Sequence, residues 1–138
     1  MCTEKRIYVG CSLTQAPERF KKEVAEYKEQ LRSAGHQVLE FIGLEGGTES
    51  DVYRWDIEHC VRDCDLMVGV CDSPSIGLGW ELGEATRLGK DVLAIAHEQS
   101  SVTRLVLGAA AVEPNVHFMR YAQLADTLPA IEGFMAAR

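Results

Sequence analysis

The chain has 138 residues, of which 46% are hydrophobic and 25% are charged, a balance typical of a globular domain rather than a disordered chain. Its 14 basic and 21 acidic residues give a net charge of −7, which argues against nucleic acid as a partner because phosphate backbones require clustered cations. No apolar run approaches the roughly 20 residues that span a bilayer, and nothing near Met1 has the pattern of a signal-peptide core. We therefore expect one cytoplasmic domain over residues 1–138 that contacts no membrane.

Short β-rich runs alternate with amphipathic stretches along the whole chain. The first amphipathic stretch carries a single apolar stripe, at Phe20, Val24, Tyr27 and Leu31. In chain order, the predicted elements are a strand over 7–11, a helix between Pro17 and Gly35, a strand over 37–42, a helix over 50–63, a strand over 65–71, a helix over 80–88, a strand over 92–96, a helix over 102–111, a strand over 115–119 and a helix over 122–137 interrupted near Pro129.

Strands that alternate with helices at this spacing imply parallel pairing with helices on both faces of the sheet. The fold class is therefore predicted to be α/β, a doubly wound five-stranded parallel sheet in a flavodoxin- or Rossmann-like three-layer sandwich. Ligands in such sheets bind at the carboxyl ends of the strands, where the strand order switches. The loops after the first and third strands and the helix after the second are thus the places for a site.

The five cysteines are an odd number with no CxxC pair, so reduced thiols are favoured over a disulfide framework. Cys60 and Cys64, four residues apart on one predicted helix, could in principle hold a metal together with His59. No second ligand pair with zinc spacing is present, and two buried small side chains are the favoured interpretation.

The stretch from Asp72 to Ala85 is the most informative part of the sequence. It leaves the third strand, uses Gly77 and Gly79 to turn, and is expected to place Glu81 in the first turn of a helix. The helix dipole would favour an ionised Glu81, as a nucleophile requires, and the loop amides with the Ser73 or Ser75 hydroxyl could hold a phosphate. The alternative is that Glu81 only complements the dipole and the glycines only turn the chain.

The glycines at 77, 79 and 83 also resemble a dinucleotide fingerprint, but they follow the third strand rather than the first. The loop over 43–47 has no Gly-Lys-Ser/Thr ending and is not a Walker A loop.

Two further candidates are Tyr8 in the first strand and Asp56 in the second helix. The alternatives are that Tyr8 is a core residue and that Asp56 is exposed to solvent, and periodicity does not decide which way Asp56 faces.

Taken together, these stretches resemble the nucleoside 2-deoxyribosyltransferase superfamily, and most closely its 2′-deoxynucleoside 5′-monophosphate N-glycosidases. The resemblance covers about residues 6–120. Its motifs are Ile7–Ser12, Asp56–Glu58, Ser73–Gly83, Leu88–Leu93 and Gly108–Ala110.

The resemblance implies that Glu81 is the nucleophile, that Tyr8 orients its carboxylate, and that Asp56 handles the leaving nucleobase. A carboxylate nucleophile and a second carboxyl group follow the double-displacement chemistry of retaining glycosidases. This scheme requires no metal and no cofactor. The resemblance also implies a homodimer in which the neighbouring subunit completes the pocket.

The position six residues before the nucleophile separates two branches of the superfamily. It is typically an Asp in transferases that act on free nucleosides, and it is Ser75 here. Because a Ser can donate to a phosphate that an Asp would repel, the resemblance favours a 5′-monophosphate. The implied substrate-binding residues are Ser12, Ser75, Gly77, Gly79, Thr103 and Arg104, with Thr103 near the position of the phosphate-contacting serine that the neighbouring subunit contributes in the family. The resemblance places an Arg two residues after Ser12, where this chain has Thr14, so Arg104 is the candidate replacement cation.

Three functions are compatible with these residues. The first is an N-glycosidase that hydrolyses a nucleoside 5′-monophosphate to free base and sugar 5-phosphate through a covalent glycosyl-Glu81 intermediate. The second is a nucleoside 2-deoxyribosyltransferase that exchanges bases on free 2′-deoxynucleosides. The third is a non-catalytic nucleotide-binding module. The sequence names neither the base nor the sugar, ribose or 2′-deoxyribose.

Overall fold

The computed structural model describes residues 5–13, 16–42 and 46–136. The strands are β1 (Arg6–Cys11), β2 (Gln37–Leu39), β3 (Leu66–Val70), β4 (Asp91–His97) and β5 (Val116–Tyr121). The helices are α1 (Glu18–Ser33), α2 (Glu49–Tyr53), α3 (Ile76–Arg87), α4 (Arg104–Val112) and α5 (Leu128–Ala136). A π-helical segment, Arg54–Val61, continues α2, and a 3₁₀ turn, Leu124–Thr127, precedes α5. Within these ranges, no helix combines the length and the apolarity needed to cross a membrane.

The five strands form one parallel sheet in the order β2-β1-β3-β4-β5. This is the flavodoxin-like order, in which the chain reverses direction across the sheet between β1 and β3. The predicted α/β class and the doubly wound five-stranded sheet are confirmed. The carboxyl ends of β1 and β3 therefore mark the place where such folds bind their ligands.

Each face of the sheet packs against its own set of helices. Along β1, Ile7 and Val9 belong to a core formed with α1 and α5, whereas Tyr8 belongs to a core formed with the π-helical segment and α3. This division follows from the alternation of side chains along a strand. β3 is buried along its whole length, as expected for a central strand covered on both faces. Tyr8 thus points to the same face as α3.

The apolar stripe predicted for the first helix is confirmed. Val24, Tyr27 and Leu31 are buried, and Phe20 packs against the same core. Gly35 has a φ of 96°, the left-handed conformation that commonly follows a helix end. The helix predicted from the spacing of the apolar residues is thus the helix whose apolar face packs against the sheet.

Several predicted boundaries are wrong. The second strand ends at Leu39 rather than residue 42, and the second helix begins at Glu49 rather than residue 50, with the Thr48 hydroxyl accepting from the Asp51 amide as its cap. α3 begins at Ile76 rather than Trp80. Pro129 lies in the first turn of α5, so it does not interrupt that helix.

The cysteines of the second helical stretch are buried, as predicted. Cys60 is 1% exposed and Cys64 is 0% exposed. Their thiols donate to backbone carbonyls, that of Cys60 to Glu40 and that of Cys64 to Val61. Among the described residues, no group of three or more His, Cys, Asp and Glu side chains is placed to hold a metal ion.

Candidate active site

Tyr8 and Glu81 are joined by a short hydrogen bond. The Tyr8 hydroxyl donates to Oε2 of Glu81 at 2.6 Å, and Tyr8 itself is 1% exposed. Burial, followed by the nearby Glu81 carboxylate, holds the pKa of Tyr8 well above its usual value. The phenol therefore stays protonated and acts as a fixed donor to the carboxylate.

Glu81 is not in the first turn of its helix, contrary to the prediction. Because α3 begins at Ile76, Glu81 is its sixth residue and lies beyond the turn in which the dipole effect is concentrated. Burial raises the pKa of Glu81 to about 7, the Tyr8 hydrogen bond opposes that rise, and the charge of Asp56 adds to it. Near neutral pH both protonation states of Glu81 are therefore populated, and burial rather than the helix dipole dominates its pKa.

The Glu81 carboxylate lies close to β1 at Gly10, where there is no side chain to obstruct it. A Cβ atom at position 10 would lie 3.3 Å from Oε1 of Glu81 and 3.0 Å from both the Leu78 and Met67 side chains. An isolated glycine in a strand is a signal of close approach, but the sequence does not say what approaches. Gly10 is thus a site residue that the sequence analysis missed.

Asp56 lies at the third position of the π-helical segment and is half-buried, not fully exposed. Its Oδ1 accepts from the backbone N–H of Ile42 at 2.9 Å. Burial raises the pKa of Asp56, and the Ile42 N–H opposes that rise. The charge of Asp56 also raises the pKa of both Tyr8 and Glu81, so the three groups influence one another electrostatically.

The residues that follow β2 lie beside Asp56. The Trp55 indole N–H donates to the Glu40 carbonyl at 2.7 Å, and the Cys60 thiol donates to the same oxygen at 3.3 Å. The Glu40 carboxylate in turn binds Lys28 at 2.6 Å and Arg32 at 2.5 Å. The segment that supplies the Ile42 N–H is therefore anchored to both α1 and the π-helical segment.

The Ser75 and Thr103 hydroxyls cap two helices that begin beside one cavity. Oγ of Ser75 accepts from the Leu78 amide at 3.1 Å, and Oγ1 of Thr103 accepts from the Leu105 amide at 3.3 Å. Both residues line a cavity of about 280 Å³ whose walls are largely apolar. The two hydroxyls thus lie on one cavity of a single chain.

The remaining predicted substrate-binding residues are more dispersed. Gly77 and Gly79 lie in the first turn of α3 rather than in a tight loop, and Gly79 lines the same cavity. Ser12 directly follows β1, and Arg104 is the exposed first residue of α4. Thr14 and residues 43–45 lie outside the described ranges.

A larger cavity, of about 560 Å³, lies on the other side of the sheet, where Phe20 of α1 faces Tyr121 of β5. None of the predicted site residues lines it. We place the site instead at Tyr8, Asp56 and Glu81, because Tyr8 and Glu81 share a short hydrogen bond, the charge of Asp56 acts on both, all three have raised pKa values, and β1 and β3 mark the switch point of the sheet.

Several proteins resemble the chain in sequence, two of which are described here, although no protein-family model matches it. A protein of Syntrophotalea carbinolica is 30% identical over 96 residues, which cover 67% of this chain and 64% of that protein. A protein of Methanococcoides burtonii is 31% identical over 86 residues, which cover 56% of this chain and 70% of that protein. Both carry the provisional name 2′-deoxynucleoside 5′-phosphate N-hydrolase 1. The aligned part of the chain thus spans just under two thirds of the first relative.

Many solved structures share the fold, among them two enzymes. The CMP N-glycosidase BcmB of Clostridium botulinum superposes with a TM-score of 0.71 at 21% identity, covering 93% of this chain and 98% of that one. A 2-deoxyribosyltransferase of Bacillus psychrosaccharolyticus superposes with a TM-score of 0.64 at 22% identity, covering 88% of this chain and 89% of that one. At these identities the likeness shows the fold.

Proposed function

Because the chain belongs to the nucleotide N-hydrolase branch of the nucleoside 2-deoxyribosyltransferase superfamily, we propose that it hydrolyses the N-glycosidic bond of a nucleoside 5′-monophosphate. The products are a free base and a (deoxy)ribose 5-phosphate. The observation that carries this proposal is the Tyr8–Glu81 hydrogen bond in the electrostatic field of Asp56.

The reaction runs in two displacements at the anomeric carbon, C1′. In the first, a carboxylate oxygen of Glu81 attacks C1′, the electron pair of the C1′–N bond passes to the base, and protonated Asp56 supplies the proton that the base nitrogen gains. A covalent glycosyl-Glu81 ester remains. In the second, water attacks C1′, its proton returns to Asp56, and the Glu81 carboxylate leaves. The sum is the addition of one water across the bond.

The pKa shifts of the site residues support these roles. Asp56 has a raised pKa, which increases the fraction able to act as an acid. Glu81, with a pKa of about 7, retains an ionised fraction at neutral pH, and Tyr8 fixes its carboxylate by holding Oε2. Tyr8 is therefore the group that orients the nucleophile.

The phosphate would be held by hydroxyls and helix-terminal amides. The Ser75 and Thr103 oxygens already accept one amide each, so their own protons are free to donate to a phosphate oxygen. Because Gly77 and Gly79 have no side chains, a phosphate can approach the backbone amides in the first turn of α3. Ser12, which directly follows β1, adds a hydroxyl, and Arg104 at the start of α4 supplies a cation. With Arg104 as the cation, the arginine that the resemblance places at position 14 is not required.

A second copy of the chain would cover the face formed by α3 and α4. All nine residues of α4 are described and none is buried. The exposed fractions of four large apolar side chains on the two helices are 90% for Ile76, 62% for Trp80, 81% for Leu105 and 77% for Val112. Such a patch beside the Ser75 cavity supports a homodimer in which the neighbouring subunit completes the pocket. Sedimentation equilibrium tests this, and a monomer at micromolar concentration contradicts it.

Chromatography of base release tests the function. Ribo- and deoxynucleoside 5′-monophosphates and their unphosphorylated counterparts are incubated with the protein, with and without a second free base. We expect base release from a monophosphate, and loss of that release in Glu81→Gln. Glu84→Gln is the matched control, because Glu84 is on the same helix and its ion pair, at 3.7 Å, is with the exposed Arg62.

Three results would contradict the proposal. A new nucleoside formed from an unphosphorylated donor and a second base would identify a transferase. Nucleotide binding without any base release would identify a binding module. Turnover by Glu81→Gln within tenfold of the wild type would remove the nucleophile from the scheme.

A further inference from the structure

Lys28 of α1 is a charged side chain in the interior of the fold, with 7% of its surface exposed. Its ammonium binds the Glu40 carboxylate at 2.6 Å and lies 5.1 Å from the centre of the Phe41 ring. A buried ammonium requires such partners, and here the carboxylate and the aromatic ring belong to consecutive residues. Lys28 therefore holds the chain that follows β2 at residues 40 and 41.

The peptide unit after Phe41 supplies the hydrogen bond to Asp56. Its N–H is that of Ile42, which donates to Oδ1 of Asp56 at 2.9 Å. Because a peptide unit is planar, the orientation of the backbone at Phe41 sets the direction of this N–H. Among the described residues, no group donates to the second carboxyl oxygen, Oδ2. The two oxygens of Asp56 thus have different surroundings.

This difference decides which oxygen of Asp56 can carry a proton. An oxygen that accepts an N–H favours the unprotonated form, so the proton of the carboxylic acid belongs on Oδ2. Within the described part of the chain, burial raises the pKa of Asp56 and the Ile42 N–H opposes that rise. The charge of Lys28 is not one of these two causes, so an effect of Lys28 on Asp56 passes through the backbone of residues 40–42.

We propose that Lys28 is a positioning residue that directs the Ile42 N–H to Oδ1 of Asp56 and so leaves Oδ2 to carry the proton that the departing base receives. This inference rests on the proposed function. The proton moves from Oδ2 to the base nitrogen as the electron pair of the C1′–N bond passes to the base. No bond forms or breaks at Lys28.

The test compares two lysines of α1 that are seven residues apart. Lys28→Met removes the ammonium and keeps a flexible apolar chain. Lys21→Met is the matched control, because Lys21 lies on the same helix and its ion pair is with Glu18, at 3.5 Å. Base release from a nucleoside 5′-monophosphate gives kcat and KM. An NMR titration of the carboxyl carbon, assigned with Asp56→Asn, gives the pKa of Asp56.

The other titratable groups around Asp56 are the same in both variants. Among the described residues, the charge of Asp56 acts on Tyr8 of β1, on Glu81 of α3 and on Cys60 of its own helical segment. A difference between Lys28→Met and Lys21→Met therefore does not come from these groups.

For Lys28→Met we expect kcat to fall about tenfold with KM within about twofold, and the pKa of Asp56 to rise. A raised pKa alone would increase the protonated fraction of Asp56 and would not slow the departure of the base. A fall in kcat together with a rise in that pKa thus identifies an acid that has lost its orientation. Lys21→Met should change neither quantity. If kcat or the Asp56 pKa of Lys28→Met equals that of the wild type, or if Lys21→Met changes as much, the inference is overturned.

A second pair of variants applies if a urea titration shows that Lys28→Met does not fold. Glu40→Gln weakens the same contact from its other side and leaves the backbone of residue 40 intact. Glu29→Gln is its control, because Glu29 and Glu40 both bind Arg32. The same changes in kcat and in the Asp56 pKa support the inference, and their absence overturns it.

Failure of the proposed function gives a different result. If the wild type releases no base from any nucleotide, the hydrolase fails, and the NMR titration still tests the positioning role. An Asp56 pKa that rises in Lys28→Met and not in Lys21→Met would support the role of Lys28 at the Ile42–Asp56 hydrogen bond. An unchanged Asp56 pKa would overturn it.

Discussion

The hydroxyl of Tyr8 lies 2.6 Å from Oε2 of Glu81, although 73 residues separate the two in the chain. The strand order brings them together, because β1 and β3 are neighbours and α3 returns from β3 over the face on which Tyr8 lies. The strand order therefore places the Tyr8 hydroxyl where its hydrogen bond lowers the pKa of the Glu81 carboxyl.

Replacing Tyr8 by Phe should slow base release and shift its pH dependence. The hydrogen bond from Tyr8 lowers the pKa of Glu81, so its loss moves that pKa above about 7. Because the nucleophile must be ionised, the acidic limb of the kcat profile should move to higher pH. We expect kcat at neutral pH to fall by about 10- to 100-fold. An unchanged limb in the pH–rate profile of Tyr8→Phe would show that the hydroxyl does not act on Glu81.

Glu81 should make the fold less stable as the pH rises. Its folded-state pKa of about 7 lies above the ordinary value of 4.5, so the folded state binds the proton more tightly than the unfolded state. The resulting stabilisation is fully present below about pH 4.5 and is lost as the pH rises through about 7. The advantage of Glu81→Gln over the wild type in free energy of unfolding should therefore be about 3 kcal/mol larger at pH 8 than near pH 4.5. Urea titrations at the two pH values measure this, with Glu84→Gln on the same helix as the control variant.

Gly10→Ala should impair activity more than folding. The added Cβ would lie 3.0 Å from the mobile ends of Leu78 and Met67, which can shift, and 3.3 Å from the Glu81 oxygen, whose position the chemistry requires. We expect a loss of about 1–2 kcal/mol in stability and a fall in kcat of about 100-fold. Gly133→Ala in α5, where a Cβ meets nothing within 4 Å, is the control. A proportionate loss of stability and activity would mean that Gly10 serves packing alone.

Ser75→Asp separates the phosphate role of this residue from its capping role. Asp caps a helix as well as Ser does, so α3 should keep its stability to within a few tenths of a kcal/mol. The new carboxylate would repel a phosphate dianion, and KM for a nucleoside 5′-monophosphate should rise by about 10- to 100-fold. KM for the unphosphorylated nucleoside should not rise. Equal effects on the two substrates would place the phosphate elsewhere.

The fold followed from the sequence because local pattern and tertiary packing agree in most elements. The continuous apolar run of β3 predicts a strand covered on both faces, and the apolar stripe of α1 predicts a helix with one buried face. The start of α3 did not follow, because Gly77 and Gly79 are usual in turns and weak in helices. The available signal was Ser75, a good helix cap, whose hydroxyl accepts the Leu78 amide.

The site was less predictable than the fold because its properties depend on burial and on long-range contacts. Glu81 was found from its position after β3, but its raised pKa comes mainly from burial, which spacing does not reveal. Gly10 gave only the general signal of a glycine in a strand.

The π-helical segment Arg54–Val61 has a consequence for comparisons between homologous chains. Its hydrogen bonding includes one from the Arg62 amide back five residues to the Ile57 carbonyl at 2.9 Å. A wider turn holds one residue more than an α-helix would over the same path, between the Thr48 cap and the start of β3. We expect an insertion or deletion of one residue between homologous chains to be absorbed here without shifting the register of the sheet. An alignment that puts the gap elsewhere would pair Asp56 with a neighbour of its counterpart carboxylate.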